Sequence, residues 1–166
     1  MRTIEKVIEA RPVDFQTYGT ILRWAEVRHA KPTLSDKSFD WWGRLATLQF
    51  PSGMEVGLLK LRKRELSIDQ MERHQHTSEI ILPVDGKLVI PVSCFDETTK
   101  GGISPKGVRA FYLDKNECMI LKPRIWHWAP FPLKEETTTV LMWQDGTLKN
   151  DVEFRRLDDN SVIFLK

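Results

Sequence analysis

The chain lacks most of the features that would place it outside the ordinary globular proteins. Cys94 and Cys118 are its only cysteines and no CxxC motif occurs, so neither a disulfide framework nor a cysteine zinc site is expected. No apolar run approaches the roughly 20 residues needed to cross a bilayer, and MRTIEKVIEARPVDF at the start lacks the apolar segment of an export signal. The formal net charge of +2 is too small to favour nucleic acid or a membrane surface. These absences predict a cytoplasmic protein in which both thiols serve packing.

Size and composition fit one folded domain. A domain usually spans about 100–200 residues, and 41% hydrophobic with 29% charged residues is typical of a globular chain. No internal repeat, linker or low-complexity tract occurs. The sequence therefore predicts a single domain over residues 1–166.

From about residue 54 onward, short apolar runs alternate with turn residues. The runs are MEVGLLKL, SEIILPV, KLVIPVS, VRAFYL, ECMIL, TTVLMW, VEFRRL and SVIFL. Each is rich in β-branched or aromatic residues and too short for a typical helix, which predicts strands. Asp85-Gly86 between SEIILPV and KLVIPVS predicts a β-hairpin, because glycine accepts a positive φ without a steric clash. Many short strands at regular spacing predict an all-β barrel or sandwich.

The segment before these strands is less regular. PVDFQTYG predicts one or two short helical turns, with Asp14 near the start and Gly19 as the stop. Residues 23–42 have no clean period and are expected to form a long connection with a strand or two. Within it, Trp41-Trp42 predicts an apolar flap or a dimer contact, because two indoles present a large area with few rotatable bonds.

The main chemical signal lies in MERHQHTSEIILPVDG, residues 71–86. His74 and His76 are two of the four histidines in the chain, and Glu79 follows three residues later. Residues two apart on an extended strand point to the same face, so both imidazoles are expected to enter the barrel interior together. Histidine and carboxylate side chains are common ligands of transition metals, and His127 is a third candidate. The alternative is a polar start to a buried strand.

The order of these residues resembles the two-motif signature of the cupin superfamily. The first cupin motif is HxH, a short gap, a glutamate, six residues and a glycine, and the gap of two residues here is shorter than usual. The matching residues are His74, His76, Glu79 and Gly86. Pro123 and His127 match the second motif, although its glycine is absent. The resemblance implies a cupin-like β-barrel, a double-stranded β-helix or jelly roll. It also implies one divalent metal ion (Zn, Ni, Mn or Fe), with His74, His76, Glu79 and His127 as its ligands.

A narrower resemblance, to the ureidoglycolate lyase family of the cupin superfamily, covers nearly the whole chain. It rests on the order and spacing of PVDFQTYGTIL, MERH, SEIILPVDGKLVIPV, RAF and RIWHWAPFPL. The chain departs from that family at Gln75, where proline is common, at Glu79, where glutamine is common, and at Trp128, where a second histidine follows. A typical family member therefore does not show this metal triad, so a metal-free site and a diverged member with a different substrate both stay open.

The family resemblance implies an enzyme of purine and allantoin catabolism that cleaves ureidoglycolate to glyoxylate and urea. His74 and His127 would serve as acid and base, since the unperturbed histidine pKa is about 6.5, and Glu79 is an alternative base. A cation would bind the substrate carboxylate, and arginine does this with two parallel hydrogen bonds. The candidate cations are Lys60, Arg73, Lys122 and Arg124, of which Arg73 also fits an ion-pair residue.

Two further functions stay open on the sequence alone. One is another metal-dependent cupin enzyme, such as a sugar isomerase or a dioxygenase, and the other is a non-catalytic cupin that binds a carboxylate or a sugar. A small-molecule carboxylate is the expected partner, with no nucleic acid and no membrane. A barrel with exposed strand edges often dimerises, so the fold analogy predicts a homodimer.

Overall fold

Short strands make up most of the regular structure. The computed structural model describes residues 2–9, 12–94, 103–158 and 161–166. The strands are β1 (Arg2–Glu5), β2 (Val7–Glu9), β3 (Gly19–Arg23), β4 (Leu34–Ser35), β5 (Asp40–Trp41), β6 (Met54–Arg62), β7 (Ser67–Ile68), β8 (Gln70–Arg73), β9 (Glu79–Pro83), β10 (Leu88–Ser93), β11 (Arg109–Leu113), β12 (Glu117–Leu121), β13 (Trp126–His127), β14 (Phe131–Pro132), β15 (Glu136–Gln144), β16 (Glu153–Arg156) and β17 (Val162–Leu165). Single helical turns form α1 (Pro12–Phe15), α2 (Trp24–Val27) and α3 (Thr147–Asn150), and Pro105–Gly107 is a 3₁₀ turn.

The local predictions from apolar pattern are confirmed. Each of the eight apolar runs forms a strand, and PVDFQTYG contains the single turn α1. Residues 23–42 form the expected connection, with the short strands β4 and β5 and the additional turn α2. None of the helices in the described ranges is long and apolar enough to cross a membrane.

Three sheets enclose two hydrophobic cores. The five-stranded sheet has the order β3-β12-β9-β15-β6, and the next has the order β16-β8-β13-β10-β11-β2 with β14 beside β10. Side chains from these two sheets form the inner core, which includes Ile81, Ile90 and Met119. A second core lies between the other face of the seven-stranded sheet and the sheet β1-β17-β7. All six residues of β10 are buried as a result, since it contributes to both cores.

The predicted hairpin around Asp85-Gly86 is wrong. β9 pairs with β12 and β15 in one sheet, whereas β10 pairs with β11, β13 and β14 in the other. A tight turn does form, with Gly86 at φ +113°, but it carries the chain between the two sheets. The backbone N–H of Thr138 donates to Asp85 Oδ1 at 2.8 Å and ties this turn to β15. The burial of β10 explains the difference. A strand covered on both faces lies in the sheet between the two cores, whereas a hairpin partner of β9 would lie in the five-stranded sheet.

The same crossing occurs elsewhere along the chain. The connections from β11 to β12 and from β14 to β15 also pass from the seven-stranded sheet to the five-stranded sheet. Consecutive strands that alternate between two packed antiparallel sheets are typical of a jelly roll. The all-β, cupin-like fold predicted from the sequence is therefore confirmed.

Candidate metal centre

A cluster of polar side chains lies at one end of the inner core, where several strand ends meet. Glu79 is the first residue of β9 and pairs with Leu121, the last residue of β12. His127 lies in β13, directly opposite Glu72 of β8, and His74 follows β8 immediately. His74, Glu79 and His127 are all buried. Polar groups at this depth require partners, because their desolvation is otherwise uncompensated.

The ligand-type atoms of these three side chains face one another. His127 Nε2 lies 2.9 Å from Glu79 Oε2, and His74 Nε2 lies 3.6 Å from the same oxygen. The three atoms have no hydrogen-bond partner of acceptable geometry in the described part of the chain. Ligands bound about 2.1 Å from one metal ion are about 3.0 Å apart at right angles and about 3.4 Å apart at the tetrahedral angle. The observed spacings therefore fit both a shared cation and, for His127 and Glu79, a direct charge-assisted hydrogen bond.

Backbone carbonyls hold the other nitrogen of each imidazole. His74 Nδ1 lies 3.1 Å from the carbonyl oxygen of Asp151, and His127 Nδ1 lies 3.0 Å from that of Ile125. A carbonyl only accepts hydrogen bonds, so each Nδ1 carries a proton, and in the neutral tautomer each Nε2 points a lone pair at Glu79. Metal-binding histidines are commonly oriented in this way. Two imidazoles and a carboxylate, arranged with their lone pairs converging, fit a divalent transition metal.

Charge holds the cluster together when no metal is bound. Burial acts to raise the pKa of Glu79, but the charge of His127 and close polar contacts with both imidazoles lower that pKa to about 2. Burial acts to lower the pKa of His127, but the Glu79 carboxylate, with weaker help from Glu72, raises that pKa to about 9. Without metal, the cluster is thus an imidazolium–carboxylate pair at neutral pH.

Glu72 is a further member of the cluster that sequence reasoning missed. Its Oε1 lies 3.8 Å from His127 Nε2. Burial raises the pKa of Glu72 above its usual value, while the charge of His127 opposes this rise and that of Glu79 adds to it. The sequence did contain a signal for this residue. Glu72 and His74 are two residues apart at the end of an extended strand and therefore share a face.

His76 does not join the cluster, so the expectation that it shares a face with His74 is wrong. β8 ends at Arg73, and His76 is exposed in the turn that follows. The Asp151 carboxylate shapes this turn by accepting the backbone N–H groups of residues 75, 76 and 77 at 2.9, 3.0 and 3.1 Å. Because the chain is not extended here, the two-residue alternation does not apply and His76 is not placed as a metal ligand.

The Asp151 carboxylate is expected to stabilise the whole fold through this turn. We expect Asp151→Ala to lower the free energy of unfolding by about 2–4 kcal/mol, because three backbone donors lose a charged acceptor. This is less than the sum of three full contributions of about 1.5–3 kcal/mol, since water reaches this partly exposed turn and replaces part of the lost acceptor. Urea denaturation measures this loss. Asp69→Ala is the matched control, since it removes only an exposed ion pair with Arg156, 3.1 Å long, worth about 0–1 kcal/mol. Equal losses in the two variants would contradict the role of Asp151.

Two of the predicted carboxylate-binding cations lie at the same end as the cluster. Lys122 follows the last residue of β12, and its Nζ donates to the carbonyl of Gln16 at 2.5 Å. The backbone N–H of Arg124 donates to the carbonyl of His74 at 2.6 Å. The Arg124 guanidinium forms no hydrogen bond or ion pair with the described residues. Among the four candidate cations, Arg124 therefore combines an exposed side chain with a backbone bonded to that of His74.

The backbone of Arg124 is strained. Its φ of 70° lies in the left-handed region. Within the described ranges, Arg44 is the only other non-glycine residue in that region. This conformation costs an L-residue with a Cβ roughly 1–2 kcal/mol. Strain of this kind concentrates at functional sites.

Lys60 lies away from the cluster, contrary to its predicted role. It points outward from β6, where it forms an ion pair of 2.6 Å with Glu136. The inward position of the alternation is taken by the buried Leu61. Lys60 therefore has no access to the inner core.

Arg73 also faces away from the cluster, on the side of the second core. It forms an ion pair of 2.6 Å with Glu153 and stacks on the Trp126 ring, with 4.4 Å between guanidinium and ring centre. Arg73 alternates with Glu72 along β8, so its side chain emerges on the opposite face of the sheet. The interpretation of Arg73 as an ion-pair residue is confirmed, and its placement does not support substrate binding.

Neither cysteine is activated for chemistry. Burial raises the pKa of the Cys118 thiol to about 11. Burial also raises the pKa of Cys94, against the opposing charge of Lys122. Both thiols stay protonated at neutral pH and are not thiolate nucleophiles.

The fold is similar to those of several solved structures. One is a 4-keto-6-deoxy sugar epimerase from Streptomyces spheroides, with 11% identity over 60% of this chain and 49% of that one and a TM-score of 0.46. Another is a sugar 3,4-ketoisomerase from Thermoanaerobacterium thermosaccharolyticum, with 12% identity over 72% and 80% and a TM-score of 0.47. A third is an oxalate decarboxylase from Lactobacillus farciminis, with 14% identity over 54% and 23% and a TM-score of 0.38. The chain thus spans about half of the epimerase. Comparison with the curated proteins finds no significant match.

A protein-family comparison gives a match over nearly the whole chain. The sequence profile of the ureidoglycolate lyase family matches residues 6–164. The matched range contains the buried His74, Glu79 and His127 and the half-buried Glu72. The chain therefore belongs to the ureidoglycolate lyase family.

Proposed function

We propose that the protein is a carbon–nitrogen lyase that cleaves ureidoglycolate, or a closely related small carboxylate, to glyoxylate and urea. The observation that carries this proposal is the buried cluster of converging polar atoms in a chain of this family. Beside it lies the backbone of Arg124, whose side chain forms no ion pair with the residues that the structure describes. The reaction breaks a C–N bond next to a hydroxyl group. It needs a cation for the substrate carboxylate, a base for the hydroxyl proton and a proton for the departing nitrogen.

A divalent metal ion fits this cluster. His74, Glu79 and His127 would hold it, because their Nε2 and Oε2 atoms converge without other partners. The donor set admits zinc, nickel, manganese or iron. When bound, such an ion supplies Lewis-acid polarisation of a substrate oxygen.

Arg124 and Lys122 bind the substrate carboxylate in this proposal. The Arg124 guanidinium offers two parallel hydrogen bonds to a carboxylate, and Lys122 adds a second positive charge. The backbone of Arg124 is hydrogen-bonded to that of His74, so its side chain starts beside the cluster. A carboxylate held there would orient the reacting carbon relative to the base.

Glu72 moves the proton. Its carboxylate accepts the hydroxyl proton as the C=O bond forms and the C–N bond breaks. It then returns that proton to the departing urea nitrogen, so that the proton count balances. Burial raises the pKa of Glu72, which brings the group closer to the operating pH, as an efficient general base requires.

Glyoxylate release from ureidoglycolate tests the proposal. We expect the metal-loaded protein to release glyoxylate and urea in equal amounts and His74→Ala to lower kcat/KM by more than about 100-fold, since even partners of metal ligands contribute about 10–100-fold. His76→Ala is the matched control: it changes the same turn at an exposed position and should stay within about threefold of the parent, as exposed substitutions do. Arg124→Ala should raise KM in the same assay.

The assay has outcomes that would overturn the proposal. A metal-loaded parent protein that releases no glyoxylate would contradict the reaction. An equal loss in His74→Ala and His76→Ala would contradict the assigned cluster. Circular dichroism of both variants shows whether any loss of activity reflects loss of fold.

The donor set favours a second candidate function. Two histidines and one carboxylate form the ligand triad of non-haem iron oxygenases. Such an enzyme would consume dissolved oxygen when loaded with Fe(II) and given an organic acid. Oxygen-electrode measurements with Fe(II)-loaded protein distinguish this candidate, because the lyase reaction consumes no oxygen.

A further inference from the structure

Three tryptophans lie close together on the outer side of the five-stranded sheet, beside β3. Trp24 begins α2 directly after β3, while Trp41 ends β5 and Trp42 follows it. Leu22 of β3 lines the same cavity as the three indoles. Leu22 alternates with Ile21, which belongs to the inner core, so its side chain lies on the opposite face of the sheet. The sheet therefore separates these tryptophans from the buried cluster of the candidate metal centre.

The cavity between the indoles, here called the indole cavity, has a volume of about 330 Å³. Sites for small molecules usually have volumes of about 300–1,000 Å³. The rings of Trp24 and Trp42 stand at 85° to each other with 5.3 Å between their centres, so they form two walls at a right angle. Trp41 lines the cavity as well. Trp24 and Trp41 are 50% and 55% exposed, so no described part of the chain fully covers them.

The polypeptide holds two of the indoles in place. Trp42 Nε1 donates to the carbonyl of Ala30 at 2.8 Å. The backbone N–H of Thr33 donates to the carbonyl of Trp41 at 2.7 Å. The Trp41 ring packs on Gly43 so closely that an added Cβ would lie 2.7 Å from its Cζ2 atom. A site with walls that are already fixed loses less conformational freedom when a ligand binds.

One carboxylate also lines the indole cavity. Asp40 is the only charged residue among the described residues of its lining. The Ser35 hydroxyl donates to Asp40 Oδ1, and Asp40 forms no ion pair with the residues that the structure describes. The cation at the end of β3, Arg23, is already paired with Glu117 at 2.5 Å and with Glu26 at 3.6 Å. The cavity thus combines three aromatic side chains with a negative charge that no described cation pairs with.

We propose that the indole cavity is a second binding site, which binds a small organic ammonium ion with alkyl groups on its nitrogen. Among aromatic side chains, tryptophan attracts a cation to its ring face most strongly. Asp40 adds a full negative charge at the same place. A primary ammonium group is strongly hydrated and needs several hydrogen-bond acceptors, which this mainly apolar lining does not offer. Alkyl groups on the nitrogen instead pack against the indoles and Leu22.

A neutral apolar ligand fits the same cavity less well. Such a ligand would displace water from the Asp40 carboxylate without replacing the lost hydrogen bonds, which is unfavourable. A cationic ligand compensates that loss, because it brings the opposite charge close to the carboxylate. The preference for a cation over a neutral molecule of the same shape is therefore the distinguishing property of this site.

Choline and its neutral isostere, in which a tert-butyl group replaces the trimethylammonium group, test this preference. Proton–nitrogen NMR spectra of the full chain follow the indole N–H signals of Trp41 and Trp42 during each titration. We expect choline to shift these signals and to bind at least about tenfold more tightly than the isostere, because only choline interacts as a cation with the rings and with Asp40.

Two variants separate the charge from the ring. Asp40→Asn removes the negative charge, and Trp24→Leu keeps an apolar side chain without an aromatic face. Each should weaken choline binding by at least about threefold and leave binding of the isostere unchanged. Asp36→Asn is the matched control, because Asp36 is exposed in the turn between β4 and β5 but does not line the cavity. It should bind choline as the parent does.

The same spectra show whether each variant is folded, so a loss of binding is not confused with a loss of structure. Equal affinities for choline and the isostere would overturn the proposal, since the cavity would then be apolar without selectivity for a cation. Indole signals that choline does not shift, an unchanged affinity in Asp40→Asn, or an equal loss in Asp36→Asn would each overturn it as well.

Discussion

Glu79→Gln is expected to remove metal retention and to lower glyoxylate release by more than about 100-fold, because an anionic ligand is replaced by a neutral amide of the same size. Glu72→Gln is expected to lower release by about 10²–10⁴-fold, as loss of a general base does, while the metal stays bound. The two carboxylates lie near the same imidazole, His127, at 2.9 and 3.8 Å. Measuring the bound metal and the reaction rate of both purified variants therefore distinguishes a metal ligand from a general base.

Glu136→Gln is the matched control for both changes. Its carboxylate pairs with Lys60 on the outer face of the sheet, so the variant should keep both metal and activity. Metal loss in Glu72→Gln would reassign that residue as a ligand. Full activity in Glu79→Gln without metal would show that the cluster works through its protons alone.

The metal-free protein is expected to be most stable between about pH 4.5 and 6.5, the ordinary pKa values of its central pair. The folded-state pKa of His127 is raised, so its contribution is complete below pH 6.5 and is lost as pH rises through about 9. The folded-state pKa of Glu79 is lowered, so its contribution is complete above pH 4.5 and is lost as pH falls through about 2. Since one pKa unit corresponds to about 1.4 kcal/mol, the alkaline loss is of the order of 3 kcal/mol.

Urea denaturation of chelator-treated protein across this pH range measures the effect. His127→Gln removes the imidazole, so the difference in unfolding free energy between the parent and this variant should shrink from pH 6.5 towards pH 9. Comparing the two proteins cancels the titration of groups remote from His127, whereas Glu79 and Glu72, whose pKa values the charge of His127 lowers, are part of the measured effect. A difference that does not change with pH would mean that His127 is neutral in the folded protein.

The strands could be predicted from the sequence, but the sheets that contain them could not. Alternating or continuous apolar runs bounded by turn residues identify a strand because they reflect local burial. Asp85-Gly86 predicts a turn but not the sheet that the next strand joins, and here the turn crosses to another layer. The continuous apolar run of β10, LVIPVS, carried the missing information, since only a strand buried on both faces reads in this way.

The candidate centre was predictable to a similar degree. His74, Glu79 and His127 were found from residue type and motif order, and the structure brings all three together. His76 was misplaced because a distant carboxylate, that of Asp151, bends the chain directly after β8. Glu72 was missed although it lies two residues before His74 and therefore on the same face of the strand. The left-handed backbone of Arg124, which we propose to bind the substrate carboxylate, is not predicted by any local sequence pattern.

The hydrogen bond from the backbone N–H of Gln75 to the Asp151 carboxylate also constrains the stage of folding at which the centre can form. It joins positions 76 residues apart, so His74 has its final orientation only after most of the polypeptide has left the ribosome. A nascent chain that ends before position 151 carries the first imidazole without its acceptor. Closing so long a loop is entropically unfavourable until the sheets have assembled, and the centre therefore reaches its final geometry last, together with the completed tertiary structure.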